Sequence, residues 1–306
     1  MKIFYSSNYD PLMTTHSTEE IPSYFAEKLK KKFGESTLAI ILYGSWLRGK
    51  RDTVVDLYII VNSYKYLDSP VDKILTNFLS PNVYQQTGDA HIKDYRVKFA
   101  VIDLESFDKK VNKDFHPYFW ARFAQPTQIL FVKTNEIQTK LENIFKRATE
   151  RMIKESLPML PEKFTTEMLW KTALELTYKA ELRSEAGTAP ESIIKSTLPK
   201  LKALTSAVAH RCSIHIEDDV WLKKTDEFSF FKREAAWQIR FFIGKFLSIA
   251  RLLKAVFTFE NPLDYLVWKI ERHTGIKERP TKLQRKYPLI FSWSLLWRLY
   301  RKGGFR

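Results

Sequence analysis

Cysteine is almost missing from this chain. Cys212 is the single one among 306 residues, which excludes a disulfide framework and any cysteine-based zinc site and fits a reducing compartment. The six histidines (His16, His91, His116, His210, His215 and His273) lack ligand spacing with carboxylates or with each other. His210 and His215 are five apart and do not share a helical face. No stretch reaches the roughly 20 uncharged apolar residues that a membrane-spanning helix needs. The opening MKIFYSSNYDPLMTTHSTEE has neither the basic start and apolar run of a signal peptide nor the Arg-rich, acid-poor character of a transit peptide. The expected compartment is therefore the cytoplasm. Internal repeats and low-complexity segments are also missing.

Positive charge is plentiful. The chain carries 50 Lys and Arg against 35 Asp and Glu, a formal net charge of +15, and such an excess favours anionic partners. Its distribution is uneven: residues 220–306 hold 19 Lys and Arg and 7 Asp and Glu, so +12 falls there. Five of the eight tryptophans (Trp221, Trp237, Trp268, Trp293 and Trp297) lie in the same third. With 44% apolar residues a packed core is feasible and wholesale disorder is excluded.

Residues 23–33 read as an amphipathic helix with Ser23 as its cap. TLAIILYGS (37–45) and TVVDLYIIV (53–61) read as strands, as does YRVKFAVIDL (95–104), with a helix near 70–79 before Ser80-Pro81-Asn82. This order predicts a mixed α/β sheet with helices packed on it. From about 136 the pattern turns helical over 136–156, 164–185, 192–211 and 230–257. The expected division is an α/β unit at 1–135, a helical unit at 136–220, and a basic, aromatic helical region at 221–306.

The segment LYGSWLRGKRDTVVDLYIIV has a chemical logic. A strand ends at Gly44-Ser45 and leads into a short helix, whose free N–H groups attract phosphate while glycine lets the backbone come close. Ten residues lie between Ser45 and Asp56, which opens the next strand. A carboxylate there can hold Mg²⁺ against the same triphosphate. The plain alternative is a Gly-Ser turn and a surface Asp.

This arrangement resembles the polymerase-β-like nucleotidyltransferase superfamily, with one departure: Tyr58 stands where its second carboxylate belongs. Further pieces resemble the mitochondrial-type phosphatidate cytidylyltransferases. Tyr43-Gly44-Ser45 and Val55-Asp56-Leu57 match that family's turn and strand. Lys98-Phe99-Ala100-Val101-Ile102 is similar to its following strand. Tyr118 to Pro126 is similar to its Tyr-x-x-Gly-Arg-x-x-x-Pro segment, with Ala121 for the glycine, and Ser192 through Lys200 loosely matches a basic helix. The resemblance spans about 38–205.

It implies that Asp56 binds Mg²⁺, that Gly44 and Ser45 hold the phosphates of CTP, that Lys98 is a catalytic cation and that Arg122 binds phosphate through its planar fork. Lys98 as an exposed strand lysine and Arg122 as a surface arginine stay open. Asp103 is an alternative carboxylate, although Asp-Leu-Glu-Ser reads more simply as a helix cap. The implied substrates are CTP and phosphatidic acid, with no specific nucleic acid. Nucleotidyl transfer to RNA or protein, and a non-catalytic module of the same fold, are the competing readings.

Residues 233–257 carry Arg233, Arg240, Lys245, Arg251 and Lys254 among apolar blocks. An interfacial helix, with Arg240, Lys245 and Arg251 toward anionic headgroups, is the expectation; a core helix is the alternative. The expected location is cytoplasmic, peripheral on the inner face of a bacterial cell membrane.

Overall fold

The computed structural model describes residues 20–303, except 52–53, 65–80, 90–91, 93, 182–188, 218–219, 224–226, 259–262, 265–266, 268–269 and 272–273. The helix expected at 70–79 lies outside the described residues. Five strands form the main sheet: β1 (Thr37–Tyr43), β2 (Val55–Val61), β3 (Asn82–Thr87), β4 (Arg96–Asp103) and β5 (Gln128–Val132), in the order β3-β4-β2-β1-β5. β2 and β4 run parallel and the other neighbours antiparallel. The sheet is mixed, as its sequence predicted.

Both faces of the sheet are covered, which is why β1 and β2 read as near-continuous apolar runs. On one face Ile40, Leu42, Leu57, Ile59, Val97 and Phe99 pack with Phe25, Leu29 and Phe33 of α1 (Ile21–Phe33). α1 begins at Ile21, with Glu20 rather than Ser23 at its cap position and Pro22 in its first turn. On the other face Ala39, Ile41, Tyr58, Ile60, Ala100 and Ile102 meet α2 (Leu104–Lys113), α3 (Trp120–Phe123) and α4 (Asn135–Ser156). Each large apolar side chain buried there contributes about 1.5–3 kcal/mol. α2 starts where the Asp103 carboxylate accepts from the Ser106 N–H at 2.8 Å, so Asp103 is a helix cap.

The same apolar cluster continues into α5 (Thr166–Lys179), α6 (Ala189–Val208) and, through Trp237 and Phe241, α7 (Glu227–Thr258). A second, three-stranded antiparallel sheet was not anticipated. It consists of β6 (Lys163–Phe164), β7 (Ile214–Glu217) and β8 (Val220–Lys223), with β8 in the middle. Short helices α8 (Lys282–Lys286), α9 (Pro288–Phe291) and α10 (Trp293–Arg301) follow. Leu295 and Leu299 of α10 pack on Val267 and Ile270 in a separate small core.

α7 is docked by charge as well as by apolar contact. Glu155, near the end of α4, pairs with Arg240 at 2.8 Å and with Arg233 at 2.7 Å. Arg240 also donates its Nε–H to the Phe115 carbonyl at 2.9 Å and lies against the rings of Trp120 and Trp237. Its side chain is 2% exposed. Arg240 therefore does not face lipid headgroups. The expectation failed because a buried carboxylate waits on another helix, which helical spacing alone does not reveal.

Candidate active site

Where β1 ends and β2 begins, Tyr43 sits opposite Asp56 in the antiparallel ladder. One step further, Gly44 has φ +87°, a backbone conformation that other residues seldom adopt. A Cβ on Gly44 would lie 3.1 Å from Asp56 Oδ2. The turn therefore lies directly against the carboxylate. After it comes the short helix expected from sequence, as a single 3₁₀ turn, Ser45–Arg48. It closes at Gly49, whose left-handed backbone (φ +81°) donates its N–H to the Trp46 carbonyl at 3.1 Å.

The parallel pairing of β2 with β4 sets Asp56 beside Lys98. Their side chains meet at 3.0 Å, with 21% and 32% of their surfaces exposed. Lys98 is thus drawn to the predicted metal carboxylate, and not left as an unattached strand lysine. Among the described residues no group of three or more His, Cys, Asp or Glu is poised to hold a metal.

Tyr58, two residues along β2 from Asp56, is fully buried. Its ring packs on Phe123 and Tyr43, and its hydroxyl accepts from Arg122 Nη1 at 3.2 Å. The residue in place of the second carboxylate is an anchor for an arginine. Arg122 also donates to the Tyr118 carbonyl at 3.2 Å. Its guanidinium lies 4.2 Å from the Tyr118 ring centroid and 5.5 Å from that of Tyr43. Arg122 is therefore held among tyrosines and is not a solvated surface arginine. Burial first, and the Asp56 charge second, push the Tyr43 hydroxyl well above its ordinary range, so it stays protonated.

Tyr118 and Arg251 were not assigned to this neighbourhood from sequence. The Arg251 guanidinium rests 3.8 Å from the Tyr118 ring centroid. Burial acts to raise the Tyr118 pKa, but Arg122 and Arg251 outweigh it and the net direction is downward. Arg251 is therefore turned inward, away from the headgroup position expected of it. A signal was present: Trp237, Arg240, Gly244 and Arg251 recur at helical spacing and share the inner face. Lys245, one step off that face, is exposed as expected.

The pattern of the family described as phosphatidate cytidylyltransferase, mitochondrial, matches residues 58–235, more than half of the chain. The chain belongs to this family. It is an enzyme, a nucleotidyltransferase. The match takes in Tyr58, Lys98, Tyr118 and Arg122; Gly44, Ser45 and Asp56 precede it, and Arg240, Lys245 and Arg251 follow it. No curated protein sequence matches the chain. Among solved structures, a nucleotidyltransferase-like protein from Exiguobacterium sibiricum 255-15 aligns over 94% of this chain and 91% of its own, at 11% identity and a TM-score of 0.29. The non-catalytic reading gives way to the family membership.

Proposed function

We propose that this enzyme joins CTP to phosphatidic acid, giving CDP-diacylglycerol and pyrophosphate, with Mg²⁺ and at an anionic membrane surface. The observation that carries the proposal is the Asp56–Lys98 pair, 3.0 Å apart, directly against the Gly44 turn. A carboxylate, a cation and a close-approach backbone there suit a metal-bound triphosphate.

The residues present fit Mg²⁺. This ion commonly takes one or two carboxylates and fills its remaining positions with water and substrate phosphates. Asp56 supplies the carboxylate, and its Oδ2 lies against Gly44, where any other residue's Cβ would crowd it. When bound, Mg²⁺ neutralises charge on the triphosphate. The protein's own part is positional. Gly44 and Ser45 admit the phosphates, Lys98 adds positive charge beside Asp56, and Tyr58 holds Arg122 toward the same end of the sheet. A phosphate oxygen of the acceptor attacks the α-phosphorus as the bond to the bridging β-phosphate oxygen breaks and pyrophosphate departs. The nucleophile is already anionic at neutral pH, so positioning and charge neutralisation suffice.

The membrane part of the proposal is supported by two exposed apolar rows. On α7, Ile239, Phe242, Ile243 and Phe246 follow the i, i+3, i+4, i+7 spacing of one helix face, and Phe242 is 81% exposed. On α10, Trp293, Trp297 and Tyr300 do the same. Lys245 is the exposed cation beside the first row. No described helix is long and apolar enough to cross a membrane, and an aromatic row with flanking cations suits the interface. The proposed division of labour gives residues 1–135 the chemistry, 136–220 support, and 221–306 attachment to the inner face of a bacterial cell membrane.

The test is direct. Purified protein is incubated with each labelled nucleoside triphosphate, Mg²⁺ and phosphatidic acid in detergent. A lipid-linked nucleotide formed from CTP is expected. Label transferred to RNA or protein in place of lipid would overturn the proposal.

A further inference from the structure

Arg251 is costly where it stands. Its Nε and Nη1 are shut off from water and find no hydrogen-bond acceptor among the described residues. Buried donors left unmet destabilise a fold. The other two arginines on the inner side of α7 are fully engaged, Arg233 and Arg240 both with Glu155. Among the described residues Arg251 lies on the Tyr118 ring, 3.8 Å away, and that ring already carries Arg122 at 4.2 Å. Two guanidinium groups on one tyrosine call for an anion. Glu181 contributes negative charge nearby but not enough to reverse the downward direction at Tyr118.

We propose that Arg251, with Arg122 on the same Tyr118 ring, binds the phosphate monoester of the lipid acceptor. This rests on the proposed reaction. Two placements favour the acceptor over the nucleotide. The nucleotide end of the site is set by Gly44 and Asp56; Arg122 reaches it through Tyr43, which precedes Gly44, whereas Arg251 reaches it only through Tyr118. Arg251 also shares α7 with the outward apolar row, five residues beyond Phe246, a rise of about 7.5 Å. A lipid with its chains along that row has its phosphate at the height of Arg251 along α7 and carries it round to the inner face where Arg251 stands. A phosphate brings several acceptor oxygens, and a planar guanidinium fork takes two at once.

The test uses the full chain with CTP, Mg²⁺ and short-chain dioctanoyl phosphatidic acid. Arg251→Gln should raise the KM for the lipid at least about tenfold, with the KM for CTP staying within about twofold. Arg251→Lys, which keeps the charge but not the fork, should fall between Gln and wild type. An equal rise in the CTP KM, or no rise in either, would overturn the assignment.

A second arm measures calorimetric binding to the nucleotide-free protein, so that this site and the reaction can fail separately. Dioctanoyl phosphatidic acid should bind and Arg251→Gln should lose that binding, even if no turnover is found. Equally tight binding of dioctanoylglycerol would sink the phosphate role, and equally tight binding of glycerol 3-phosphate would sink the lipid assignment. Thermal unfolding separates a structural arginine from a binding one. Arg251→Gln should unfold within about 2 °C of wild type or above it, since it removes two buried donors that have no partner. If the Gln variant fails to fold, Arg251→Lys in both arms decides.

Discussion

Two ion pairs of nearly equal length sit in opposite surroundings in this molecule. Asp56 and Lys98 meet at 3.0 Å at the edge of the sheet, 21% and 32% exposed. Glu155 and Arg240 meet at 2.8 Å in the seam under α7, 9% and 2% exposed. The seam pair is completed by Arg233, by the Phe115 carbonyl and by aromatic rings, so each polar group has its partners. The edge pair is left within reach of solvent and lies against a glycine turn. Distance alone does not separate the two pairs; burial and the neighbours of each do. A partly exposed pair contributes about 0–1 kcal/mol to stability, while removing one partner of a buried pair costs about 3–5 kcal/mol.

That contrast can be broken. Asp56→Asn should lower kcat at least about a thousandfold, equivalent to about 4 kcal/mol of barrier, and leave the urea midpoint near that of wild type. Folded Asp56→Asn protein with near-normal turnover would reverse the assignment of the two pairs. Glu155→Gln should do the converse: a loss of about 3 kcal/mol in unfolding free energy, with the kcat of the folded fraction changed little. Tyr58→Phe sharpens the comparison at the site itself. Losing the hydroxyl frees one Arg122 donor, worth about 1 kcal/mol, so kcat/KM should fall about fivefold while Mg²⁺ dependence stays unchanged. A Tyr58→Phe enzyme with a changed metal requirement would mean that the tyrosine oxygen serves the metal and not the arginine.

The smallest expected effect is a pH dependence. His116 is buried with its Nε2 3.0 Å from the Ala180 carbonyl. Burial lowers its pKa from the ordinary 6.5, and Arg251 adds to this, against the opposing Ala180 carbonyl, Glu181 and Asp114. The folded protein thus takes up fewer protons here than the unfolded chain. The contribution of His116 to stability is present above pH 6.5 and is lost as pH falls below it. Thermal midpoints should therefore decline between pH 7 and pH 5, with a shallower slope in His116→Gln. An unchanged slope would place the acid sensitivity elsewhere.

Much of this was legible in the chain and some of it could not be. β1, β2, β4 and the four long helices announce themselves through period and length, and Asp103 through its capping position. β3, NVYQQT, has too little apolar alternation to stand out, and is a strand because β4 offers it an edge. β6, β7 and β8 are two to four residues each, below what periodicity resolves. At the site, Gly44, Asp56 and Lys98 followed from spacing and resemblance. Tyr58 was legible only as an oddity, because its partner Arg122 is 64 residues away. Arg251 was misread along with Arg240, since a cation on an amphipathic helix looks the same whether it faces lipid or a distant tyrosine.

Gly244 sits on the inner face of α7 where the helix crosses Ala180 and His116. A single methyl group there would come within 1.8 Å of the Ala180 carbonyl oxygen. The crossing therefore acts as a pin. Sliding α7 by one turn, about 5.4 Å, would bring Arg240 or Ser248 to the crossing, and neither side chain has clearance. Every other residue on the helix takes its position from that one point: Arg240 a turn before it, Arg251 two turns after it, and the apolar row on the far side. A hydrogen atom in place of a side chain thus sets the phase of the helix, and with it which of its residues face Tyr118 and which face outward.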